Sequence, residues 1–153
     1  HVIKLIQTRE KAIDCILATG DIAQDASKEA YQEFLESISC FDTTTRRIPG
    51  NHDNATTMAE VASGTSACEK IIQINNWMII LLDSSILGQV HGTLASSELE
   101  FLKQSLASAE ENAAVEHCLV CLHHNPVPGN AGWMKDIGFQ SRHRALRSYS
   151  SAA

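Results

Sequence analysis

The sequence predicts an α/β fold. Two observations carry that prediction. Short apolar runs alternate along the chain with segments of helical periodicity. Asp21, Asn51, Asp83 and His123 also each follow an apolar run directly, which places polar side chains at strand ends. In open α/β sheets, sites form outside the carboxyl ends of the strands.

The elements follow in order. Val2 to Gln7 reads as the end of an amphipathic helix. Asp14 to Thr19 (DCILAT) is apolar without alternation, as in a strand covered on both faces, and it ends in Gly20-Asp21. Lys28 to Ser39 carries Tyr31, Phe34, Leu35 and Ile38 at helical spacing. Thr44 to Ile48 leads into IPGNHDN, a Pro-Gly turn that delivers Asn51, His52 and Asp53 in succession. Ala55 to Val61 reads as a helix. Lys70 to Ile74 and Trp77 to Leu82 flank Asn75-Asn76 as a hairpin. Ser97 and Glu100 have capping-box spacing and open a helix with Leu99, Leu102 and Leu106 on one face, ending near Ala109. His117 to Leu122 reads as a buried strand that ends in His123-His124-Asn125-Pro126.

Composition narrows the function. The 153 residues suit one domain, 44% hydrophobic and 20% charged, an ordinary globular profile. The longest apolar run, Trp77 to Leu82, falls far short of the roughly 18 residues of a membrane helix. The opening HVIKLIQTREK lacks the charged start and apolar core of a signal peptide, and there is no initiator Met. Five cysteines without framework spacing point to reduced thiols and a cytoplasmic protein. Cys118 and Cys121 form C-x-x-C, but on a strand they face opposite ways, which favours two buried thiols over a redox or zinc pair. Of the 12 basic residues, three lie in residues 140–153 with no acid. The first 139 residues therefore carry 9 basic against 18 acidic side chains, a net −9. That balance argues against a nucleic-acid surface, although bound cations would still let such a body take an anionic substrate.

The polar groups at the strand ends have chemistry in common. Asp21 is as ordinary a helix N-cap as it is a metal ligand, but Gly20 before it lets the backbone approach a ligand closely. The Asn51 amide oxygen is a neutral ligand for a divalent ion, and its NH2 remains free to donate to a phosphate oxygen. His123 offers nitrogen to Zn, Mn or Fe. His52 is placed to stabilise a phosphoryl oxygen or protonate a leaving group. Asp25 or Asp53 would orient it.

Together these stretches resemble the calcineurin-like metallophosphoesterases, and within them the bacterial cyclic-AMP phosphodiesterases. The resemblance rests on ATGDIAQD (18–25), PGNHD (49–53), LLDSSILGQVHGTL (81–94), LHHNPVP (122–128) and GWMKDIG (132–138), in family order. It implies a metallophosphoesterase β-sandwich flanked by helices, with a two-metal centre (Mn, Fe or Zn) and a small phosphodiester substrate attacked by a metal-bound hydroxide. By motif, Asp21 resembles the bridging carboxylate, and Asn51 and His123 resemble ligands of the second metal. His52 resembles the histidine beside the phosphoryl group. His91 resembles a substrate-side histidine, with Asn51 also facing substrate. His124, like Asp25 and Asp53, is expected behind the ligands, and Asp83 is expected to be structural. A broader phosphatase or phosphodiesterase of the same superfamily is the alternative.

The family's D-x-H and G-H-x-H motifs are absent, since His1 lies where the family has a helix and His143 sits in R-H-R. The domain is therefore read as incomplete at both ends. Residues 1–139 form a partial phosphoesterase domain, and residues 140–153 form a divergent tail. A truncation or frame break is favoured for that tail over a disordered Arg-Ser segment. The parent protein is expected to be an enzyme, and the chain alone to be inactive.

Overall fold

The computed structural model describes residues 2–127, 138 and 139. His1, the WMKDI stretch and the tail that contains His143 lie outside the described residues.

The chain builds two sheets from two crossover units. In the first, β1 (Cys15–Ala18) is followed by α2 (Lys28–Ile38) and the parallel strand β2 (Thr44–Arg47), with Cys15 opposite Thr44 and Ala18 opposite Arg47. In the second, β4 (Trp77–Leu81) is followed by α4 (Ser96–Glu111) and the parallel strand β5 (His117–Cys121). A parallel pair needs such a crossover, which is why each helical segment lies between apolar runs. The antiparallel strand β3 (Ile71–Ile74) completes the second sheet in the order β3-β4-β5. It joins β4 through Asn75, whose φ of 52° is one that Asn tolerates. Helices α1 (Val2–Arg9) and α3 (Ala55–Val61) stand where the periodicity put them.

β4 explains the uninterrupted WMIILL. Ile79 and Leu81 face the first sheet and pack with Ile48, Ile72, Leu17 and Cys15. Met78, Ile80 and Leu82 face the other way and pack with Leu94, Leu102, Leu106 and Phe139. The two sheets thus form a sandwich with α4 outside it. A third cluster joins Tyr31 of α2, Met58 of α3 and Ala23. In β2 the two arginines are buried: Arg46 pairs with Glu69 at 2.8 Å, and Arg47 donates to the Met58 carbonyl and lies over the Tyr31 ring.

Two expectations are corrected. The α4 N-cap is Ala95 with no side-chain cap bond, so Ser97 and Glu100 form no capping box. Glu98 takes the first-turn role differently, pairing with Lys70 and accepting from the Asp83 N–H at 3.0 Å. β5 is only partly buried. Its Leu119 is 41% exposed, on the same face as Trp77, because among the described residues a two-stranded layer does not cover a three-stranded one. The C-x-x-C pair does split across the strand: Cys118 packs towards α4 and Cys121 towards the first sheet. No helix among the described residues is long and apolar enough to cross a membrane.

Candidate metal centre

Three loops meet at the carboxyl ends of β1, β2 and β5. After β1 the chain turns through Gly20, at φ 110°, into Asp21, whose φ of 53° is rare for a side-chain-bearing residue and costs about 1 kcal/mol. After β2 it turns through Pro49-Gly50 into Asn51 and His52. After β5 it reaches His123 and His124. The loops touch so closely that neither glycine tolerates a Cβ. At Gly20 a Cβ would overlap the His123 ring and lie 2.8 Å from the Gly50 Cα. At Gly50 it would overlap Asp21 Oδ1 and lie 2.9 Å from His123 Cε1.

Asp53 holds two of the loops together. This buried carboxylate accepts from the backbone N–H groups of Ile22 (3.1 Å), Ala23 (3.0 Å) and Gly50 (2.8 Å), and from the Tyr31 hydroxyl (3.1 Å). Four donors saturate it, so it has no lone pair left for a distant imidazole. Asp25 is exposed and accepts from the Ser27 N–H, which holds its carboxyl below the usual carboxylate range. The orienting contact to His52 expected of Asp25 or Asp53 is made by Gln24 instead, with its Nε2 2.9 Å from His52 Nδ1. The His52 backbone N–H donates to Asp21 Oδ1 at 3.1 Å.

Asp21, Asn51 and His123 come together. His123 Nδ1 lies 2.9 Å from the Thr19 carbonyl, which only accepts, so Nδ1 carries a proton and, in the neutral ring, Nε2 presents the lone pair. That lone pair faces Asn51 Oδ1 at 3.3 Å and Asp21 Oδ1 at 3.4 Å. Three lone-pair bearers thus converge. The separations exceed the range of about 2.7–3.2 Å for an N–H···O bond. The two separations are of the size found between neighbouring ligands of one divalent ion. Nitrogen, amide oxygen and carboxylate oxygen suit a divalent cation such as Mn, Fe or Zn, so the residues present fit a metal. No Lys or Arg among the described residues pairs with Asp21, Asp25 or Asp53, which keeps the pocket electronegative. Among those residues no three His, Cys, Asp or Glu side chains converge on one point; the third donor here is an amide.

The remaining candidates stand around this centre. His124 is buried, with Nδ1 2.8 Å from Ser84 Oγ and its ring edge-on to His123 at 5.0 Å. Burial, and then the neighbouring His123, push its pKa down, which favours the neutral ring. A Cβ on Gly92 would overlap the His124 ring, so the 83–94 loop lies directly on it. His91 is half-buried on that loop and has no hydrogen bond to Asp21, Asn51 or His123 among the described residues. Asp83 accepts from the Ser85 N–H and hydroxyl. Sequence reasoning missed Gln24, Tyr31 and Ser84. The last two are ordinary helix and loop residues until the fold brings them under Asp53 and His124.

The model of the calcineurin-like phosphoesterase family matches residues 1–147. The chain is 36% identical over 140 residues to a 3',5'-cyclic adenosine monophosphate phosphodiesterase of Pseudomonas aeruginosa, covering 92% of the chain and 50% of that protein. It is 38% identical over 135 residues to the protein of the same name in Escherichia coli (87% and 48% covered). It is 31% identical over 134 residues to a 3',5'-cyclic-nucleotide phosphodiesterase of Nostoc (87% and 49% covered). The chain spans about half the length of the curated relatives it matches.

Proposed function

Because the chain belongs to the calcineurin-like phosphoesterase family, we propose that it supplies one metal position and the phosphoryl-facing groups of a metal-dependent phosphodiesterase. The substrate is a 3',5'-cyclic nucleotide, cyclic AMP first. The observation that carries this is the convergence of Asp21 Oδ1 and Asn51 Oδ1 on His123 Nε2, at 3.4 and 3.3 Å. The names of the relatives support the substrate class.

Asp21, Asn51 and His123 would hold a divalent ion, and the exposed Asp21 carboxylate would remain open to a second one. When bound, such ions supply a Lewis acid for the phosphoryl group and lower the pKa of an attacking water. The protein's own groups do the rest. The Asn51 amide NH2 donates to a phosphoryl oxygen. His52, exposed beside Asn51, donates to a phosphoryl or leaving oxygen. The Thr19 carbonyl keeps His123 in the tautomer that leaves Nε2 free. By its resemblance to the family's substrate-side histidine, His91 is assigned to the substrate. Five free thiols suit a reducing, cytoplasmic setting.

Titration of the 153-residue chain with Mn²⁺, followed by electron paramagnetic resonance of the free ion, tests the site. One bound ion is expected, with affinity at least about tenfold weaker in His123→Ala. An unchanged affinity would remove His123 from the site. The second ion needs further ligands, so the chain alone is expected to leave cyclic AMP intact. Robust Mn-dependent turnover that Asp21→Asn abolishes would show the chain to be sufficient. In a longer protein that carries this segment, cyclic AMP is expected to be hydrolysed faster than bis(p-nitrophenyl) phosphate. Equal rates would point to the broader phosphodiesterase instead.

A further inference from the structure

His52 is gripped twice by one loop. Its backbone N–H donates to Asp21 Oδ1 at 3.1 Å. Its ring Nδ1 lies 2.9 Å from the side-chain amide nitrogen of Gln24, three residues further on. That loop is itself rigid. It passes through positive φ at Gly20, Asp21 and Ala26, and its Ile22 and Ala23 N–H groups are tied to the buried Asp53 carboxylate. Gln24 therefore projects from a fixed backbone.

The chemistry of the contact decides the proton's place. An amide nitrogen only donates, so a ring nitrogen 2.9 Å from it accepts. The neutral ring then carries its proton on Nε2. A carboxylate at position 24 would do the reverse. It only accepts, would draw the proton to Nδ1, and would turn a lone pair towards the reaction space. It would also add a third acid beside Asp21 and Asp25. Gln24 is exposed, with no packing role to account for its presence.

We propose that Gln24 is a positioning residue that fixes His52 as its Nε2–H tautomer and so presents a neutral donor to the phosphoryl group. The phosphoryl partner rests on the reading of the site given above; the tautomer does not.

The experiment is a ¹H–¹⁵N long-range correlation spectrum of the imidazoles of the 153-residue chain at about pH 8.5, well above the ordinary histidine range. His52 is assigned from a His52→Gln spectrum. In the wild type His52 is expected to show the Nε2–H pattern. In Gln24→Glu the pattern is expected to switch to Nδ1–H, with backbone amide shifts outside residues 20–26 and 50–54 unchanged. An Nδ1–H pattern in the wild type overturns the proposal without recourse to any variant, and so does a Gln24→Glu spectrum that keeps the wild-type pattern. Mn²⁺ added to the same sample separates the two readings. Broadening centred on Asn51 and His123 reports the metal site whatever the tautomer, and its absence counts against the metal reading alone.

Discussion

A methyl group on Gly50 would take the space of Asp21 Oδ1, so this one hydrogen atom sets the distance between two loops. Gly50→Ala is expected to leave the far-ultraviolet circular dichroism intact and to weaken Mn²⁺ binding by about 10–100-fold. An unchanged titration would mean that the loops can part without loss. Tyr31 acts at the same scale. Its hydroxyl donates to Asp53 at 3.1 Å and accepts from the Asn54 N–H at 2.8 Å. Burial, first of all, raises its pKa. The protonated phenol is thus favoured in the folded state. Its stabilisation is complete below the unfolded value near 10 and is lost as pH rises through the folded value. Tyr31→Phe is expected to cost about 1 kcal/mol at pH 8 and less as pH climbs past 10. Urea midpoints at pH 8 and 10.5 read the difference; parallel curves would deny Tyr31 that part.

At the scale of elements, β4 and β5 show how much a strand's surroundings alter its meaning. Apolar runs predict both strands, and β4 is indeed enclosed on both faces. β5 has the same kind of sequence but lies at the side of the sheet, with Leu119 open. A run of apolar residues records what a strand can bury, not what is there to cover it. The cysteines test this directly. Cys118 and Cys121 face opposite sides, and burial raises both thiols, as it does Cys15. Cys40 is exposed. Ellman's reagent is expected to label Cys40 fastest and these three slowly, and Zn²⁺ is expected not to protect the C-x-x-C pair. Zinc protection of both thiols would reinstate the metal reading of that motif. The capping box failed for a comparable reason. The three-residue spacing of Ser97 and Glu100 is present, but α4 begins at Ser96, and the Glu98 carboxylate is taken by Lys70 and the Asp83 N–H.

At the scale of the whole molecule, the candidate centre spans both layers of the sandwich. Asp21 and Asn51 follow strands of the first sheet, and His123 follows β5 of the second. Packing between the sheets therefore sets the 3.3–3.4 Å separations of the three donors. Leu81 lies between the sheets, and Leu102 lies on the α4 side of the second sheet. Each Leu→Ala change is expected to cost about 2–5 kcal/mol. Only Leu81→Ala is expected to weaken Mn²⁺ binding as well, measured where both variants remain folded. Equal affinities would mean that the loops hold the donors without help from the core.

The sequence by itself determined most of the elements and singled out the candidate groups. Strand and helix periods, turn residues and the order of ATGDIAQD, PGNHD and LHHNPVP are local signals, readable without a fold. Tertiary structure alone decided which groups touch. Asp53 closes on the backbone of the Asp21 loop, 30 residues away in sequence, rather than on its neighbour His52. Gln24, unmarked in the sequence, takes that place. The reason is physical. A carboxylate beside several free N–H groups in a buried turn is held by them, and which N–H groups those are depends on how two strands pair and two sheets stack.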